Sequence, residues 1–200
     1  MKKIFMLLFV FISSYSHAQQ FSRLTEVKSK DSIRGNDAII YGNFIQRLAF
    51  LSGGFPQEIR IANIETKEIY SFNVKPSYKS AKENAFIYFI KPGSYVILNY
   101  WWTQSKWYGG KFFTEPIFSG VDSRDSLVSK VKSGIINEKD LHRFMFCVSE
   151  KSINYLGTWH FDTGIVSFTS DKKNIDEKLS SKYTLIDILN AKTILPQPLN

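Results

Sequence analysis

A single cysteine, Cys147, stands in these 200 residues. One thiol has no partner within its own chain, so no internal disulfide supports the fold, and no Cys/His spacing resembles a structural zinc site. Its neighbours Phe144, Met145, Phe146 and Val148 are apolar, and the expectation is a buried, inert thiol. Histidine is scarce as well, with only three. No glycine-rich phosphate loop appears: Gly53-Gly54 runs into Phe55-Pro56 with no Lys-Ser or Lys-Thr behind it, which leaves nucleotide chemistry without support. Long hydrophobic runs are missing too. The longest, Ile4 to Ile12, is nine residues, against the ~20 that a membrane-spanning helix needs.

That short run is informative by its place. Lys2 and Lys3 precede it, and Ser16-His17-Ala18 ends it with small residues three before and just before the break. This order is the layout of a secretory signal peptide, with the mature chain starting at Gln19. No cysteine follows Ala18, so a lipid-modified mature terminus is not expected. The chain is expected to be exported to the periplasm or cell surface of a bacterium, with no transmembrane segment in the mature chain. The net charge of +8 drops by two with the leader, and the remaining surplus is scattered over Lys28/Lys30, Lys130/Lys132 and Lys172/Lys173. A nucleic-acid reader gathers its charge into one stripe, so no nucleic-acid partner is expected.

Aromatics are abundant, at 16% of the chain, and pleated sheets accept such side chains well. After a polar stretch over 19–36, strand-like runs follow at short intervals. The first is Ala38 to Ile45. Glu58–Ala62 and Glu68–Val74 flank Asn63 to Lys67 at a hairpin spacing, and in the second arm Tyr70, Phe72 and Val74 alternate with Ile69, Ser71 and Asn73. Ala85 to Ile90 ends at the turn Lys91-Pro92-Gly93-Ser94. Tyr95 to Trp102 is apolar on both faces and reads as an interior strand, and Thr103 to Gly110 reads as a loop. Lys111 to Ser119 carries another strand interrupted by Pro116. In 121–141 only Leu127, Val131 and Ile135 suggest a short helix. His142–Ser149 and Ile153–Phe161 read as a hairpin across Glu150-Lys151-Ser152, and Asp162-Thr163-Gly164 turns into Ile165–Thr169. Ile175, Leu179, Ile186 and Leu189, with Tyr183 between them, recur at helical offsets.

The pattern predicts a mainly β chain: an antiparallel β-sandwich with one or two short C-terminal helices. The expected divisions are a signal peptide over 1–18, a flexible segment over 19–36, one sandwich domain with its helix over 37–190, and an extended tail over 191–200.

Two local patterns carry a resemblance. Lys91-Pro92-Gly93-Ser94-Tyr95-Val96-Ile97 resembles the PG-x-Y turn-into-strand of transthyretin-like and carboxypeptidase-regulatory-like domains. There Pro fixes one turn angle, Gly accepts a positive φ, and Tyr opens the strand. Ile153-Asn154-Tyr155-Leu156-Gly157 is similar to a strand of small bacterial envelope proteins of unknown function. Many of those are lipoproteins, and this chain departs from them in lacking the cysteine. The resemblance implies a sandwich fold and transfers no catalytic residue.

Candidate chemistry is sparse. His160 and Asp162 share a strand face and could orient an imidazole for hydrolysis, but no nucleophile elbow or carboxylate cluster accompanies them. The aromatic group Trp101, Trp102, Trp107 and Tyr108 is the better lead, since loop rings stack on sugars or anchor a partner. Trp102, Trp107 and Tyr108 are the expected ligand-binding residues. No catalytic residue, metal ligand or cofactor is expected. The sequence reads as a non-enzymatic envelope protein acting by binding, first to an envelope protein, alternatively to a surface glycan as a carbohydrate-binding module.

Overall fold

The fold is that of a computed structural model, which describes residues 21–45, 54–74, 83–106, 109–118, 127–134, 137, 141–161 and 165–199. The leader over 1–18, the pair Trp107-Tyr108, Ile135 and the turn Asp162 to Gly164 lie outside the described residues.

Strands dominate, because β-branched and aromatic residues alternate over most of the chain. Among the described residues, twelve strands appear in chain order: β1 (Ser22–Arg23), β2 (Ala38–Ile45), β3 (Gly54–Asn63), β4 (Ile69–Asn73), β5 (Glu83–Ile90), β6 (Gly93–Lys106), β7 (Gly109–Pro116), β8 (Arg143–Val148), β9 (Ile153–His160), β10 (Ser167–Thr169), β11 (Lys192–Thr193) and β12 (Gln197–Leu199). Helix α1 (Leu127–Lys132) follows β7, and α2 (Lys172–Ser180) with a 3₁₀ turn at Ile188–Asn190 follows β10. The first sheet runs β1-β4-β3-β6-β8-β12, with β7 also paired to β6. The second runs β10-β9-β2-β5, with β11 also on β9. The two pack face to face as the expected β-sandwich. Most neighbours are antiparallel, but β1 runs parallel to β4, and β2 and β11 run parallel to β9, so both sheets are mixed.

Between the sheets lies a core of Ile40, Phe44, Ile59, Ile61, Phe72, Phe86, Tyr95, Ile97, Tyr100, Phe146, Trp159 and Phe161 among others. Trp159 is fully buried, meets Phe72 and Phe86 edge-on, and satisfies its indole by donating to the Leu156 carbonyl at 2.9 Å. A second core lies on the far side of the second sheet, where Ile39, Tyr41, Ile87, Phe89 and Tyr155 meet Ile175, Leu179, Tyr183, Ile186 and Ile188. This explains why β2 is apolar on both faces: each face has its own cover. Tyr41 donates to Asp176 Oδ1 at 2.6 Å, and Lys172 pairs with the other oxygen of that buried carboxylate. The helix is thereby fixed to the sheet by a polar contact as well as by packing.

Several expectations need correction. Residues 19–36 were expected to be flexible, yet from Phe21 onward the segment is seated. Leu24 N–H donates to Ser71, Phe89 N–H donates to Thr25, Val27 N–H donates to Ile87, and Val27 is buried. Backbone bonds to a sheet edge leave no mark on side-chain pattern, which is why a polar sequence concealed them. The extended tail is likewise built in, through β11 on the second sheet and β12 on the first. The β8–β9 hairpin does not form: β8 joins β6 in the first sheet and β9 joins β2 in the second. The tight turn at Glu150-Lys151-Ser152 instead carries the chain from one sheet to the other. Within the expected loop Thr103 to Gly110, Thr103–Lys106 is the end of β6 and Gly109-Gly110 the start of β7, with Lys106 opposite Gly109. Leu189 is 63% exposed, because α2 ends at Ser180 and the following 3₁₀ turn buries Ile188 in its place.

The Lys91–Ser94 turn is shorter than read: β6 already starts at Gly93, which pairs with Val148 and adopts φ +147°, and the Tyr95 hydroxyl donates to the Lys91 carbonyl at 2.8 Å. A Cβ at Gly93 would also stand 2.6 Å from Asn63 Nδ2, so glycine is required there twice over.

Candidate functional site

One sheet face differs from the others. The inner faces of both sheets form the first core, and the helix layer covers the outer side of the second sheet. The outer side of the first sheet carries polar and aromatic side chains instead. On β3, Ile59 and Ile61 point into the core, so period two turns Glu58 and Arg60 outward. On β4, Phe72 is in the core and Ser71 lies opposite. On β6 an irregularity after Arg60 lets Tyr100 reach the core and sets Asn99 and Trp101 outward. Register then aligns Arg23, Ser71, Arg60 and Asn99 in one row across β1, β4, β3 and β6. The adjacent row holds Asn73, Glu58, Trp101 and Thr114 across β4, β3, β6 and β7.

Among the described residues, polar atoms in the first row are shut from solvent without a hydrogen-bonding partner: Ser71 Oγ, Arg60 Nε and Asn99 Oδ1. Such a group costs about 1–3 kcal/mol when left unpaired, and a fold tolerates three together only where something else is served. The row offers one N–H donor, one hydroxyl of either sense and one carbonyl acceptor.

Glu58 is almost fully buried beside this row. Its Oε1 lies 2.6 Å from Arg23 Nη2, an ion pair rather than an aligned hydrogen bond, and its Oε2 accepts from Trp101 Nε1 at 2.9 Å. Arg23 itself is 71% exposed. The Phe21 ring lies over the Arg60 guanidinium, 4.5 Å from its centre, and is 41% exposed. Two side chains from the N-terminal segment thus reach β3, Phe21 onto Arg60 and Arg23 to Glu58. At the other end the Trp101 ring meets Phe112, centroids 5.9 Å apart, and Phe112 is 77% exposed. A large apolar side chain that bare is unusual, and it sits next to buried polar groups.

Of the residues the sequence singled out, Trp102 lies in β6 opposite Pro56 and Phe113, and its side chain is outside the described set. Trp107 and Tyr108 fall wholly outside it. Trp101, the remaining member of that group, is the one the fold places in the site. Sequence reasoning missed Arg60, Ser71 and Asn99, since nothing local marks a polar residue as aligned with others on neighbouring strands. Glu58 and Phe112 had one available signal, as outward positions in runs already read as strands.

His160 is half-buried, and its Nε2 lies 2.7 Å from Thr169 Oγ1 on the paired strand β10. Its expected companion Asp162 is outside the described residues. Cys147 corrects the expectation of a buried thiol: it is exposed, 3.6 Å from Ser94 Oγ. Phe144, Phe146 and Val148 take the inner face of β8, so alternation sends Arg143 and Cys147 to the outer one. Among the described residues, no three His, Cys, Asp or Glu side chains come together as a metal site, and no helix is long and apolar enough to cross a membrane.

No family model, curated protein or solved structure matches this chain. The functional reading therefore rests on the chemistry of this face.

Proposed function

We propose that the protein is an exported, non-enzymatic binding module of the bacterial cell envelope, and that its binding face is the outer side of the first sheet. The leader sequence supports the address. The observation that carries the binding assignment is the row Ser71–Arg60–Asn99, three buried polar atoms without partners among the described residues, beside a bare phenylalanine ring. A ligand with polar groups would complete those hydrogen bonds, and the strands beneath hold them in fixed register.

The reading is tested in two arms. Expressed with its leader in a bacterium, the chain should appear in the periplasmic or extracellular fraction with a mass that begins at Gln19; an uncleaved cytosolic chain removes the address. The second arm needs no ligand. Ser71→Ala deletes an unpaired buried hydroxyl, so the thermal midpoint should hold or rise by about 1–3 °C, the stability–function trade seen where a site strains its fold. A fall of several degrees would mean the hydroxyl serves the fold and would count against the face as a site.

A further inference from the structure

The chemistry of the face narrows its ligand, and this step rests on the binding-face reading above. Donor and acceptor are interleaved along the row: Arg60 Nε gives a proton, Asn99 Oδ1 takes one, and Ser71 does either. A phosphate or sulfate offers mainly acceptors, and it would meet the Asn99 oxygen as another acceptor and the buried Glu58 carboxylate as a like charge. A peptide bound by main-chain pairing needs a free sheet edge. This row sits on the face of strands whose backbone bonds are already made to their neighbours.

Hydroxyl groups, which donate and accept at once, fit the alternation. A molecule carrying several of them on a ring with an apolar C–H side also suits the Trp101–Phe112 end. From Asn99 to Thr103, whose strand partner is Phe112, the face extends four residues, about 13 Å at the usual rise. That is room for a short chain of sugar rings, the polar row holding one end and the aromatic pair the other.

We infer that the outer face of the first sheet binds a neutral glycan, which enters by displacing the side chains of Phe21 and Arg23. Both are substantially exposed; the Phe21 ring lies over Arg60, and Arg23 reaches Glu58 beside the row. A sugar hydroxyl replaces the Arg23 guanidinium at Glu58 Oε1, and others meet Arg60 Nε and Asn99 Oδ1. Phe112 then stacks on the far ring.

Affinity electrophoresis of the exported chain through gels containing laminarin, xylan, mannan or dextran tests this directly. At least one of these neutral polymers should retard it, and the retardation should persist in high salt, since no net charge is recruited. Phe112→Ala should weaken that binding at least tenfold with the thermal midpoint unchanged, because the ring is mostly in solvent. Asn99→Ala should weaken it by a similar factor, whereas Phe21→Ala should strengthen it by lifting the cover. Three results would overturn the glycan: no retardation by any of the four polymers, equal retardation of wild type and Phe112→Ala, or retention by heparin alone that salt abolishes. A peptide selected from a displayed library whose capture depends on Arg60 and Phe112 would keep the face as a site and remove the glycan. Capture of neither class would remove both.

Discussion

At the scale of single residues, two glycines with positive φ differ in a way that can be measured. Gly157 has φ +89°, and a Cβ there would stand 2.5 Å from Leu195 Cδ2 and 2.9 Å from the Thr169 carbonyl oxygen. Gly35 has φ +51° with nothing within 4 Å. Gly35→Ala should therefore cost only the left-handed backbone term, about 1–2 kcal/mol. Gly157→Ala adds a collision with backbone and should cost about 3 kcal/mol or more. Chemical denaturation of the two variants checks the order, and equal losses would mean that the space around Gly157 is softer than it looks. Tyrosines give a second measurement. Burial is the main cause that pushes Tyr88 up to about 12, and it raises Tyr41 and Tyr95 as well, Tyr41 further through its bond to Asp176. The folded protein then holds protons that the unfolded chain releases near pH 10. This share of stability is complete below about pH 10 and drains away as pH climbs toward 12. Urea midpoints should fall through that window, and Tyr88→Phe should make the fall shallower; an unaltered slope would show that Tyr88 titrates as in water.

Elements were legible where side chains carry the pattern. Ala38–Ile45 is a strand with those same ends, the hairpin across Asn63 to Lys67 is present, and Ile175, Leu179 and Tyr183 do face the second sheet. What could not be read is which strand pairs with which. Two short apolar strands joined by a tight turn look alike whether they pair or separate into different sheets, and β8 and β9 separate. The same limit hid the site, whose residues come from different strands and meet only through register. It also hid both ends of the described chain. The N-terminal segment bonds to Ser71 of the first sheet and to Ile87 of the second, and the tail bonds to β9 and then to β8. Each end closes one open side of the sandwich. Deleting residues 192–200 should remove β11 and β12, free the Tyr155 carbonyl that accepts from Ile194 N–H, and uncover the β8–β9 side. The loss is expected on the order of 3 kcal/mol, about 10 °C in thermal midpoint for a chain of this size. Calorimetry decides it, and a midpoint within 2 °C or so of the intact chain would make the tail an ornament.

Seen whole, the described residues form a stack in which sheet, sheet and helix layer each protect a neighbour, and the outer side of the first sheet carries polar and aromatic side chains. The parallel pairing of β2 with β9 has a kinetic side. Asn154 Nδ2 donates to the Ile39 carbonyl over 115 positions of sequence, so an early strand waits for a late one. Closing so long a loop is entropically slow, and chains rich in distant pairings assemble in milliseconds to seconds rather than microseconds. A polypeptide threaded through a membrane from its first residue would show β2, sticky on both sides, well before its mate arrives. On the proposed export route the hazardous interval would be the passage itself, and a holding chaperone on the far side would matter more to yield than the stability of the finished protein.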